Sequence, residues 1–144
     1  MTDARQAGAS SPALTWPNSY PDLCPPAEAT PADGTVLRLV RNDPPRPDDF
    51  RAWSVENGRV AKSKPCQSCA VSVFEQIDDV RKMQRRVPSQ RVKPVAAAEL
   101  KPEMGVTKLT PKRYQSHRSW WIPDGLDPSP DFQVVAPPLK TEGA

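Results

Sequence analysis

The chain reads as an α+β fold, a mainly antiparallel sheet of five to six strands with two helices packed on it. Three observations point there. Short apolar runs punctuated by Pro and Gly recur between residues 35 and 135. Helical stretches interrupt only the first of them. The later runs follow one another without a crossover helix, which suits antiparallel neighbours.

Residues 1–33 come before the fold. Pro12, Pro17, Pro21, Pro25, Pro26 and Pro31 stand there among Ala, Ser and Asp, remove backbone donors and leave no apolar period to bury. That composition predicts a disordered, Pro-rich arm. Trp16, Tyr20 and Leu23 are its exceptions and offer a short docking motif. Residues 34–136 make a single domain, and PPLKTEGA at 137–144 makes a loose tail.

Within the domain the first strand signal covers 35–41, with Val36, Arg38 and Val40 on one face and Leu37 and Leu39 on the other. Both faces ask to be covered, so the Arg38 guanidinium must find an anion or snorkel out. Pro47, Asp48 and Asp49 then signal a helix start, and the helix runs through Phe50 and Trp53 to a stop near Gly58. A second strand falls at 70–74. A second helix covers 77–87 and ends before Pro88. Ile77, Val80, Met83 and Val87 fall within an arc of about 120° on its wheel, while Arg81, Lys82, Arg85 and Arg86 cover much of the rest. Further strands are expected at 92–100, where Pro94 suits only a strand start or an edge, and at 106–110, 116–122 and 132–135.

Charge is unevenly spread. Residues 81–118 carry eleven Lys and Arg against two Asp and Glu, a net +9, between ends of −3 each. A solvated helix face explains part of this run, and the surplus suits an anionic partner, nucleic acid or an acidic protein. Arg81, Lys82, Arg85, Arg86, Arg91 and Lys93 are the expected contacts, with Trp120 or Trp121 as a stacking group.

No apolar run reaches membrane-spanning length, and the first residues lack the basic start and apolar stretch of a secretion signal, so a soluble cytoplasmic protein without a membrane partner is expected. Three cysteines, an odd number, read as thiols in a reducing compartment. Cys66 and Cys69 form one CxxC, but zinc needs four ligands, and Cys24 and His117 would have to come from distant segments. No metal site is expected. His117, the sole histidine, can act as an acid or base near neutral pH, but a base needs a nucleophile and an orienting group. Alternation puts His117, Ser119 and Trp121 on one face and Arg118, Trp120 and Ile122 on the other. Phosphate loops and the common hydrolase and metalloprotease motifs do not occur.

Arg38, Ser72 and Glu99 stand in that order on three strand signals. In this order they resemble the arrangement of ADP-ribosyltransferase-fold enzymes. The resemblance implies an NAD-dependent transferase in which Arg38 contacts a phosphate of NAD, Ser72 shapes the nicotinamide pocket and Glu99 supports the cationic transition state. An Arg38–Glu99 ion pair, or hydrogen bonds from Arg38 to loop carbonyls, serving the fold alone, accounts for the same residues. The runs LRLVRNDPPRPDDF, SVFEQIDDVRKMQRR and HRSWW are also similar to small bacterial single-domain proteins, a likeness that supports a folded domain and brings no activity. The leading expectation is a small binding or accessory module, and the alternative is an NAD-using transferase.

Overall fold

The computed structural model describes residues 13–139. Seven strands form one antiparallel sheet: β1 (Thr30–Pro31), β2 (Gly34–Leu39), β3 (Val71–Phe74), β4 (Val95–Leu100), β5 (Val106–Leu109), β6 (His117–Trp121) and β7 (Gln133–Ala136), in the order β1-β5-β6-β3-β2-β4-β7. Two helices complete it, α1 (Trp53–Asn57) and α2 (Ile77–Arg86). The sheet exceeds the expected five to six strands because β1, two residues inside the Pro-rich arm, has no alternation to signal it; it pairs with β5 through Thr30–Thr107 and Pro31–Val106.

The arm is the main correction. Residues 1–12 lie outside the described residues, but 13–33 lie along the fold instead of trailing from it. Trp16, Tyr20, Cys24 and Ala29 pack around Cys69, Ala70 and Trp121, and Ala32 is wholly buried. Trp16 and Tyr20 stack on each other with ring centroids 6.2 Å apart, so these two members of the docking motif are spent on the protein's own core, while Leu23 stays exposed. Cys24 is joined to Cys66 by a disulfide, and Cys69 is a buried thiol. The expectation of three thiols is therefore overturned. The two segments meet through apolar contacts around Trp121 that bring those sulfurs together, and no spacing rule announces that meeting.

Each face of the sheet is covered. One carries Val36, Val40, Val71, Val73, Ala96, Ala98 and Trp120, closed over by Phe50 and Phe132. The other carries Leu37, Leu39, Phe74 and Val95, against which α2 packs with Val80 and Met83. The first expected helix splits in two: Pro47–Phe50 is a 3-10 turn, and α1 begins only at Trp53. Phe50 does the packing for this segment, and α1 buries no residue of its own. Gly58, at φ 69°, ends α1 in the left-handed conformation that glycine enters without steric cost.

α2 keeps its expected end but is turned on its axis. Ile77 is 41% exposed, while Asp79, Val80 and Gln84 are buried. Polar partners set this turn. Ser116 donates to Asp79 Oδ2 from its backbone N at 2.9 Å and from its hydroxyl at 2.7 Å, and Gln84 donates to the Lys93 carbonyl at 2.9 Å. Burying a polar group costs little once it is bonded in this way. No helix among the described residues is long and apolar enough to cross a membrane.

Candidate active groove

Arg38 lies on the face of Val36 and Val40. It pairs in register with Ala96, and its guanidinium is taken up by backbone: Nε donates to the Asp49 carbonyl at 2.8 Å and Nη1 to the Ser72 carbonyl at 2.7 Å. The guanidinium carbon also sits 5.8 Å from the centroid of Phe50. β2 and β3 share a single register pair, Leu37–Phe74, and Arg38 bridges the interval that the ladder leaves open. Burial lowers its pKa to about 10, with Asp49 opposing and Arg41 adding to the effect, so it stays charged at neutral pH. Asp49 is held below the ordinary carboxylate range: burial works against it, but N–H groups of Arg46 and Arg41 and the Asn42 amide outweigh that.

Ser72 and Glu99 are on the other face, since Ser72 alternates with Phe74 and Glu99 pairs with Thr35. Glu99 Oε1 accepts from Thr35 Oγ1 at 2.9 Å. The transferase arrangement needs the three side chains around one cleft, and this sheet sends Arg38 away from the other two. The Arg38–Glu99 ion pair fails for the same reason, and the other structural expectation, a guanidinium bonded to backbone carbonyls, is the arrangement found.

The basic run separates into tied and open cations. Arg81 donates to Gln84 at 2.8 Å and to the Pro137 carbonyl at 2.9 Å, and Arg91 donates to the Gln84 and Arg85 carbonyls. Lys93 turns to a cavity of about 130 Å³ with Arg38, Arg41 and Arg51, where Asp48, Asp49 and Glu56 supply opposite charge. Burial first, then Arg41 and Arg38, lower its pKa. Arg85 and Arg86 are exposed, and Lys82 stands 3.8 Å from Asp79. Trp120 and Trp121 are 0% and 2% exposed, and their indole N–H groups donate to the Met104 and Cys66 carbonyls at 2.8 and 3.0 Å, so neither ring is open to stack on a base.

Beside α2 lies a cavity of about 180 Å³ lined by Gln67, Met83, Thr110, Lys112, Arg113, Tyr114 and His117. A second, of about 290 Å³, is walled by Pro21, Pro26, Pro65 and Trp121 with Lys64 and Lys108, and it shares Gln67 and Thr110 with the first. Together they make one groove, cationic near α2 and more apolar toward the N-terminal segment. Asp22 is the one carboxylate among the described residues that line it. By contrast, the cavity between Tyr20, Phe50 and Leu126 has Asp124 and Asp127 at its wall and no cation.

His117 lies in this groove, bonded on both ring nitrogens. Nδ1 is 3.2 Å from the Thr110 carbonyl and 2.8 Å from Thr110 Oγ1, and Nε2 is 2.8 Å from Ser72 Oγ. Register brings them together. β3 and β6 pair as Phe74–His117 and Ser72–Ser119, so Ser72 and His117 are diagonal neighbours on one face. Burial lowers the His117 pKa, and the Thr110 carbonyl partly restores it. In sequence Ser72 and His117 each stood out, for separate reasons; their pairing across 45 residues had no signal there. Compared with family models, curated proteins and solved structures, the chain matches none.

Proposed function

We propose that the chain is a small binding or accessory module for an anionic partner, and that it receives that partner in the groove between α2 and loop 110–116. One observation carries this reading: the 180 Å³ cavity has Lys112 and Arg113 at its wall and no carboxylate, whereas the cations around Arg38 already face three acids. Met83 brings α2 to this wall, and Arg86, one turn beyond it, and Lys82, beside it and 3.8 Å from Asp79, are exposed cations of that stretch. The contacts therefore fall to Lys82, Arg86, Lys112 and Arg113, while Arg81, Arg91 and Lys93 serve the fold. An acidic protein segment suits this groove better than nucleic acid, because both tryptophans that could stack on bases are buried.

The test is fluorescence anisotropy on the full chain with a labelled polyglutamate peptide and a labelled single-stranded oligonucleotide. Lys112→Glu with Arg113→Glu should weaken peptide binding at least tenfold, wild-type binding should fall with added salt, and Arg51→Glu at the self-neutralised cavity should leave it unchanged. Equal peptide binding by wild type and the double variant overturns the reading. Tighter capture of the oligonucleotide than of the peptide overturns the choice of partner.

A further inference from the structure

His117, which lines the groove, carries more chemistry than anion binding uses. The Thr110 carbonyl can only accept, so the ring nitrogen facing it at 3.2 Å, Nδ1, carries the proton in the neutral imidazole. Nε2 is then the acceptor, and the group 2.8 Å from it is the Ser72 hydroxyl. Nδ1 also meets Thr110 Oγ1 at 2.8 Å, and that hydroxyl lies 3.0 Å from Ser119 Oγ, a contact in which either hydroxyl can donate and which backs the ring from behind. Ser72 is exposed to solvent on its strand and reachable by a substrate. A hydroxyl, a neutral imidazole accepting from it and an acceptor that holds the imidazole in the right tautomer are the parts of an activated serine.

We propose that Ser72, His117 and Thr110 act as nucleophile, base and positioning residue in hydrolysis of a carboxylic ester that carries an anionic group. Ser72 Oγ adds to the ester carbonyl carbon as its proton passes to Nε2, and the carbonyl π pair moves onto oxygen. Gln67 is the uncharged side-chain donor of the groove for that developing charge, while Lys112 and Arg113 receive the substrate's anionic group. Collapse breaks the bond to the alcohol oxygen, which leaves with the proton from Nε2, and the acyl group stays on Ser72. Water then adds to the acyl carbon and gives a proton to Nε2. The second collapse releases the acid, and Ser72 Oγ recovers the proton. One ester and one water give one acid and one alcohol, with no other reactant. The serine chemistry stands on its own geometry, and only the substrate's charge rests on the anion-binding reading.

The experiment treats the full chain with a fluorophosphonate and follows hydrolysis of 4-nitrophenyl succinate and 4-nitrophenyl butyrate. One phosphonyl adduct is expected, mapped to Ser72 by mass spectrometry. It should be absent in Ser72→Ala and should form at least about a hundredfold more slowly in His117→Ala. Thr110→Val, which keeps the carbonyl and removes the hydroxyl, should lower kcat severalfold at unchanged KM; a change in KM alone overturns the positioning role. Succinate should be preferred, and Lys112→Gln with Arg113→Gln should erase the preference without erasing the adduct. Labelling of Ser72 with butyrate preferred keeps the serine chemistry and overturns the anionic substrate. Folded wild type that gains no adduct on Ser72, or a Ser72→Ala variant that hydrolyses the esters at the wild-type rate, overturns the proposal even where polyglutamate still binds.

Discussion

The disulfide between Cys24 and Cys66 closes a loop with a sequence separation of 42, and its removal has a size that can be worked out. In the chain-entropy treatment a loop of that length removes about 13 cal/mol/K from the unfolded ensemble, or about 4 kcal/mol at 25 °C. That is a large part of the roughly 5–15 kcal/mol that keeps a domain folded. The N-terminal segment has contacts besides the bond: Trp16, Tyr20 and Ala29 pack on the cluster of Cys69, Ala70 and Trp121. Cys24→Ser should therefore be folded at 25 °C, with near-ultraviolet circular dichroism like that of the wild type, yet unfold earlier. At about 3 °C per kcal/mol for a chain of this size, Tm should fall by roughly 12 °C, and reduced wild type should match the variant. Thiol titration of the unfolded oxidised protein should find one of the three cysteines, and all three after reduction. Three thiols before reduction would refute the bond. A Tm change below about 3 °C with the bond present would refute the entropic argument.

Other perturbations test how the groove is held. Ser116 holds Asp79 below its usual pKa, against burial and with help from Lys82. A carboxylate with a depressed folded pKa contributes stability above its unfolded value, here 3.8, and loses it as pH falls through the folded value. Asp79→Asn should lower unfolding free energy at pH 7 by about 1–3 kcal/mol, and urea titrations should show the gap to wild type closing below about pH 4. Gly105 has φ 123°, and a β-carbon there would run into the Trp121 carbonyl. Gly105→Ala should cost about 2 kcal/mol or more in the same titrations, through backbone strain and the displaced end of β6.

The residues that alternate or repeat at helical spacing were legible. Strands β3 to β6 lie within the expected segments, β2 and β7 overrun theirs by one residue at one end, α2 stops before Val87 and Pro88, and His117, Ser119 and Trp121 share a face as alternation requires. Pro94 falls just before β4, where its missing N–H costs the ladder nothing. What pattern could not reveal was set by tertiary partners. β1 is too short to alternate, and its only ladder is to β5. Ile77 gives way to Asp79 because Ser116, 37 residues on, offers two hydrogen bonds. That Arg38 could turn to carbonyls was legible, but which ones was not, because every residue carries a carbonyl and no motif marks those of Asp49 and Ser72. The candidate site divides the same way. The sign of its charge was visible in composition, whereas the contact between Ser72 and His117 depends on the register of β3 against β6.

The two outermost strands end differently from those between them. β1 finishes on Pro31, and β7 runs straight into Pro137 and Pro138, with Arg81 fastened to the Pro137 carbonyl. An imino acid has no hydrogen to offer a newcomer, so a foreign strand would meet no donor at Pro31 on one margin or past Ala136 on the other.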